Sequence, residues 1–357
     1  MILSFFMHIL GNPALLFPSP YVLSDRGIRE SLDNGRLKVD DFEDNQVQPV
    51  SLDLRIGEVS VFDAGYRMLE VDRMYGAGLD YEPSSDGAID YPDEAGRRIS
   101  IPPRSWVEIR PHENIETDFG TRVDLRSSRG RLGLKIESFQ DGVLSIRNYN
   151  PNTVRLYGRT PFAQMFFHPE SNLGGRIVSD VEEVRSIGKL LGVDTYGPYL
   201  LFQLGEHAFR FKGTEYGVVD TRKSDDKSYY DQVEIKDLFV PPGEMVVAQL
   251  EPRIEVPNNI AIQLIDTPYV QNSFNLRPDD RLLFCESARS NAGFIDPEYN
   301  GNVTVHLRNT KWPDFYNRGD DVVLGVVSSF DKPVLRGYGH PELNSHYQGS
   351  KGSVSRS

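Results

Sequence analysis

Six consecutive residues, Arg126-Ser127-Ser128-Arg129-Gly130-Arg131, set three guanidinium groups and two hydroxyls around a glycine. Arginine forks match phosphate oxygens bidentately, and hydroxyls with free backbone N–H groups in a turn can complete an anion nest. The run suits a polyphosphate; its plain alternative is a solvated loop with surface ion pairs. Far downstream lies Asn291-Ala292-Gly293-Phe294-Ile295-Asp296-Pro297-Glu298-Tyr299-Asn300-Gly301, followed by Thr304-Val305-His306-Leu307. Asp296-Pro297 alone reads as a hairpin turn, whereas His306 can do acid–base work near neutral pH. This stretch suits a sugar, a base or an attacking water. The chain closes on Tyr347-Gln348-Gly349-Ser350-Lys351, with small residues beyond. Such a tail is either a frayed terminus or a segment that orders over a phosphate chain. The arginine run lies in the first half of the chain and the other two pieces in the second.

The elements that must position these pieces come twice. Ser24-Asp25-Arg26-Gly27-Ile28 and Ser179-Asp180-Val181-Glu182-Glu183 both read as helix starts with a serine cap, and Glu182 suits a capping box with Ser179. Ser51–Phe62 and Tyr199–Arg210 both read as strands sharing a Gly-Glu step. In the first, Leu52, Leu54 and Ile56 alternate with Asp53 and Arg55, as in a half-buried strand. Ile101-Pro102-Pro103 and Val240-Pro241-Pro242 each precede a further strand pattern. The offset between paired segments shrinks along the chain, as expected of a duplication with loop insertions and deletions. Short strands with Gly, Pro and Asn/Asp turns fill the intervals, so the expected architecture is mainly β: two modules, each with a short leading helix. Their expected bounds are residues 21–175 and 176–357, after an apolar extension over 1–20. Lys223–Asp231 is expected to be an exposed loop of the second module.

Composition narrows the chemistry. The 357 residues suffice for two cores. A quarter of the chain is charged, 39% is hydrophobic, and 31 Gly with 23 Pro favour turns over long helices. The net charge of -13 argues against a nucleic-acid partner. With Cys285 as the one cysteine, the chain cannot supply the Cys/His set of a zinc nucleobase deaminase, and the low count fits a cytoplasmic setting. Gly11 and Pro13 interrupt the apolar start, which is too short to span a bilayer and lacks the basic start of a signal peptide. A docking or inert extension is expected there, with membrane association the lesser alternative. His8, His112, His168, His207 and His340 show no metal-ligand spacing.

Four patches in order resemble the dCTP deaminase and dUTPase superfamily. They are Gln48–Gly57, Arg126–Gly133, Ala292–Asn309 and the Tyr-Gln-Gly tail. The resemblance implies distorted β-barrel (β-clip) modules, trimeric assembly and active sites at module boundaries. It implies a deoxynucleoside triphosphate ligand, dCTP or dUTP, carrying Mg2+, with no zinc. Arg126, Ser127, Ser128 and Arg131 would hold the triphosphate and orient water near the base. Asp296 would meet the 3'-hydroxyl, and in the dUTPase branch it would also activate water. Tyr299 would pack beneath the sugar and select deoxynucleotides, and Thr304, on the His306 strand, would also contact the substrate. Tyr338, Tyr347, His346 and Lys351 would contact the nucleotide, the last two in place of the usual lysine and charge. His306 stands where the deaminases carry a glutamate base, so it is either the base here or a structural histidine. Its counterpart in the first module is expected near Arg147, and the counterpart of the aspartate loop is shortened to Asp141-Gly142. Three functions stay open: dCTP deamination to dUTP, dUTP hydrolysis to dUMP and pyrophosphate, and deoxynucleotide binding without catalysis.

Overall fold

In a computed structural model the described residues are 13–62, 82–83, 89–91, 95–170, 174–212, 217–223, 227–241, 244–266, 293–308, 314–343 and 348–349. The fold is mainly β, and the same strand-pairing scheme is used twice. The first sheet contains β1 (Leu52–Phe62), β2 (Trp106–Pro111), β3 (Gly120–Leu125), β4 (Val143–Asn148) and β5 (Pro161–His168). β1 lies between β2 and β5; β2 continues to β4, and β5 continues to β3. The second sheet contains β6 (Tyr199–Phe211), β7 (Met245–Glu251), β8 (Ile260–Asp266), β9 (Thr304–Arg308) and β10 (Asp321–Ser329). Here β6 lies between β7 and β10; β7 continues to β9, and β10 continues to β8. Each position in one scheme has its equivalent in the other, and all these pairs are antiparallel.

Helices Asp25–Asp33 and Val181–Leu191 lead into the two sheets. Their caps differ from the sequence expectation. The second helix is capped one residue later than Ser179: the Asp180 carboxylate accepts from Glu183 N at 2.8 Å, a stronger charge-assisted bond at the positive end of the helix. Ser24 makes no side-chain cap. Beside it, buried Asp25 accepts from the backbone N–H groups of Arg26, Leu335 and Arg336, so the first helix start also holds a late segment of the chain.

Two further expectations are corrected. Asp53 and Arg55 do not face solvent; both are buried, because β1 is covered on both faces. Arg55 is compensated by buried Glu113, with its Nε 2.6 Å from Oε1, and by Glu43. Of the expected 223–231 loop, residues 224–226 lie outside the described residues, and Tyr229 and Tyr230 near its end are buried rather than exposed.

The halves share structure. Thr153–Tyr157 pairs in parallel with Val218–Asp220. Leu132 lies in one apolar cluster with Phe209, Phe211, Val219, Tyr229, Tyr230, Met245 and Val247. Val22, Val50 and Phe166 lie in another with Ala261 and Phe330. Among the described residues no helix is long and apolar enough to cross a membrane.

Candidate active site

β3 delivers the arginine run. The ladder extends one residue past the strand through Arg126 N to Phe162 O at 3.0 Å. The chain then winds one helical turn, with Arg131 N donating to Ser127 O at 2.9 Å. Gly133 reverses it at φ +88, where an added Cβ would lie 2.9 Å from Asn150 N; only glycine tolerates both constraints. The second half fixes the turn from below. Tyr230 Oη donates to Arg131 O at 2.8 Å, and Arg129 Nη1 donates to Thr221 O at 3.1 Å. Arg129 also reaches Pro161 O, so the middle guanidinium bridges the halves.

The aspartate hairpin approaches from the other side. Phe294–Ile295 pairs with β8, and Tyr299 N closes the turn onto Asp296 O at 3.2 Å. The buried Tyr299 ring meets Tyr338 edge-on at 5.3 Å, while its hydroxyl donates to Asn302 O at 2.7 Å. Tyr338 is tied to the hairpin through its N–H to Pro297 O at 2.8 Å. The segment just before it is tied to Asp25 of the first half. Gln348 accepts from Asn300 N and donates to Glu298 O, which seats this part of the tail on the hairpin.

These elements enclose a cavity of about 450 Å³. Arg126, Ser127, Arg131, Asp296, Tyr299, Thr304, His306 and Tyr338 all line it, and all belong to one chain. Ser128 is not part of its wall. His346, Tyr347 and Lys351 lie outside the described residues. His306, on β9, is buried against the arginine turn: a Cβ on Gly130 would stand 2.9 Å from its Cε1.

Three residues missed at the sequence level also line the cavity: Arg122, Asp124 and Gln164. The signal for two of them was available. Arg122, Asp124 and Arg126 follow each other at alternate positions, so a strand directs all three to one face. Asp53 was missed as well. Its Oδ2 is 2.8 Å from Arg126 Nη1. Burial pushes its carboxyl up to about 6, with the arginine pulling the other way. Asp296 is pushed up to about 7, chiefly by burial and then by the charge of Asp53, again opposed by Arg126. Two carboxyls therefore share one guanidinium and titrate as a coupled pair around neutrality. A carboxyl in that range can accept a proton from water or donate a hydrogen bond.

The first half lacks an equivalent strand chemistry. With the two Pro-Pro segments aligned, Glu108 corresponds to Val247, and their cross-strand partners are Ser145 and His306. By this register Ser145 stands at the position of His306, two residues from Arg147 and so near the place expected. Arg147 lies opposite Trp106 with its guanidinium 5.2 Å from the indole, a cation–π contact. Asp141-Gly142 forms a tight turn, with both residues at positive φ.

A family model described as dCTP deaminase-like matches residues 22–169. The chain is 31% identical over 169 residues to "dCTP deaminase, dUMP-forming" of Aquifex aeolicus, covering 41% of this chain and 80% of that protein. It is 31% identical over 126 residues to the protein of the same description from Streptomyces coelicolor, covering 33% of this chain and 59% of that one. The fold is that of the crystal structure of 2'-deoxycytidine 5'-triphosphate deaminase from Agrobacterium tumefaciens, with a TM-score of 0.63 at 18% identity. That likeness spans 88% of this chain and 99% of the other, so it extends over both sheets. The family match and the Aquifex relative place the chain in the dCTP deaminase/dUTPase superfamily. Within it, the chain belongs to the dCTP deaminase-like family.

Proposed function

We propose that the cavity binds dCTP and deaminates it hydrolytically, giving dUTP and ammonia. The observation that carries this reading is the meeting of the arginine turn with Asp296 and His306 in one cavity. Arg126, Ser127 and Arg131 would hold the triphosphate and orient a water. Asp296 would take the 3'-hydroxyl, and Tyr299 would pack under the sugar. His306 would remove a proton from water as its oxygen bonds to C4, then pass a proton to the exocyclic nitrogen, which departs as ammonia. Among the described residues no group of three His, Cys, Asp or Glu side chains is arranged to hold a metal ion. Magnesium would enter with the triphosphate as part of the substrate. Division into modules near residue 175 and trimeric assembly belong to the same proposal, although one chain supplies all the cavity residues named here.

A second reading carries the reaction on to dUMP. Relatives are described as dUMP-forming, and the carboxyl of Asp296 titrates near 7, suited to activating a second water. Incubating the purified protein with dCTP, and separately with dUTP, in the presence of magnesium separates these readings. Ammonia with dUTP supports deamination alone, whereas pyrophosphate with dUMP supports both steps. Nucleotide binding without turnover at high protein concentration would leave a binding protein. His306→Ala is expected to keep dCTP binding and lose turnover; a variant that keeps full turnover removes His306 as the base.

A further inference from the structure

Residues 13–20 precede the segment matched by the family model, yet they are seated on both halves of the molecule. Pro13–Leu16 forms a single 3-10 turn. Ala14, Leu16 and Phe17 pack against the second-half cluster of Ile177, Tyr199, Ile265, Leu324 and Val326. Phe17 stacks on His168 of the first half with ring centroids 5.5 Å apart. Pro18 occupies the space over Gly120, where a Cβ would come within 2.4 Å of its own Cβ. Ser19 Oγ donates to Pro169 O. A segment held at four successive residues is not an idle extension.

What it faces gives it a role. Leu16 lines the same cavity as the arginine turn, beside Ile265, which is also in the wall. Phe17 holds Arg122 from the outside, with the guanidinium carbon 5.9 Å from its ring centroid, while Arg122 lines the cavity from within. His168 does not compete as a cation for this ring: burial pushes its imidazole down to about 4, and Nδ1 is 2.8 Å from Tyr21 O. The segment therefore closes the seam between the halves with an aliphatic side chain and steadies a cation next to it.

We propose that the N-terminal segment is a wall of the nucleotide cavity, in which Leu16 contacts the bound deoxynucleotide and sets the size of ligand accepted. This rests on the reading of the cavity as a deoxynucleoside triphosphate site. The test uses the full chain with Leu16→Trp, which fills the space, and Leu16→Ala, which enlarges it. Binding of dCTP with magnesium is followed by calorimetry, turnover by ammonia release, and folding by thermal melting. Leu16→Trp is expected to weaken dCTP binding and raise KM at least tenfold, with kcat within about threefold and melting unchanged. The fluorescence of the introduced indole is expected to respond to dCTP, which a purely structural clamp would not produce. If the unsubstituted protein binds dCTP while both variants match its affinity within twofold and the new fluorescence ignores the nucleotide, the wall is refuted. If the unsubstituted protein binds neither dCTP nor dUTP, the nucleotide reading itself falls and the wall with it.

Discussion

Asp296→Asn should make the ligand-free protein more stable at pH 8 while abolishing turnover. The Asp296 carboxyl titrates near 7 in the fold, against an ordinary value of 3.8. In the unfolded chain it ionises freely above pH 4, whereas in the fold it resists ionisation until about pH 7. The folded state therefore binds more protons across this window, and stability falls as pH rises through it. At about 1.4 kcal/mol per pH unit the full cost above pH 7 is roughly 4 kcal/mol. Asp296 keeps partial solvent access through the cavity, so about half, or ~2 kcal/mol, is the working figure. Asparagine has nearly the same shape and carries no charge, so it removes this cost. At roughly 2 °C per kcal/mol for a large chain, the variant should melt about 4 °C higher at pH 8. Its advantage should shrink as pH falls and vanish near pH 4. Melting curves of both proteins at pH 4, 6 and 8 decide the matter. Coincident melting at pH 8, or an advantage that does not depend on pH, would refute the electrostatic reasoning.

Three further substitutions probe how the arginine turn is held. Gly130→Ala places a methyl group 2.9 Å from His306 Cε1; turnover should fall at least tenfold while melting shifts little, as read by steady-state kinetics and calorimetry. Tyr230→Phe removes the bond to Arg131 O and should cost about 1 kcal/mol in urea unfolding, with a lower kcat because the turn loses its lower support. Gly133→Ala strains a backbone at φ +88 against Asn150 and should destabilise by at least about 1–2 kcal/mol, with a lower urea midpoint as the readout.

The parts of the fold legible in the sequence were those encoded locally. The paired segments Ser51–Phe62 and Tyr199–Arg210, with their shared Gly-Glu step, marked the central strands β1 and β6, and the Pro-Pro lead-ins marked β2 and β7. The arginine run and Asp296 were visible because charged or turn-forming residues cluster along the chain. What could not be read was burial imposed by distant segments. Asp53 looks like a solvent-facing strand residue until Arg126 is brought against it. Tyr230 looks like part of a polar loop until Leu132 from the other half covers it. Nor does the local sequence tell that Leu16 reaches the cavity, since its contacts are with residues more than a hundred positions away.

The joint apolar cluster around Leu132 and Tyr230 has an inheritance consequence. In a ring of identical subunits, one altered codon is copied into every site at once. Here the arginine turn and the His306 strand that share a cavity are separate stretches of one polypeptide, always synthesised one to one. A change in either is felt once at that cavity, so each half could specialise without dragging its sister along. His306, on one stretch, meets the glycine of the arginine turn on the other.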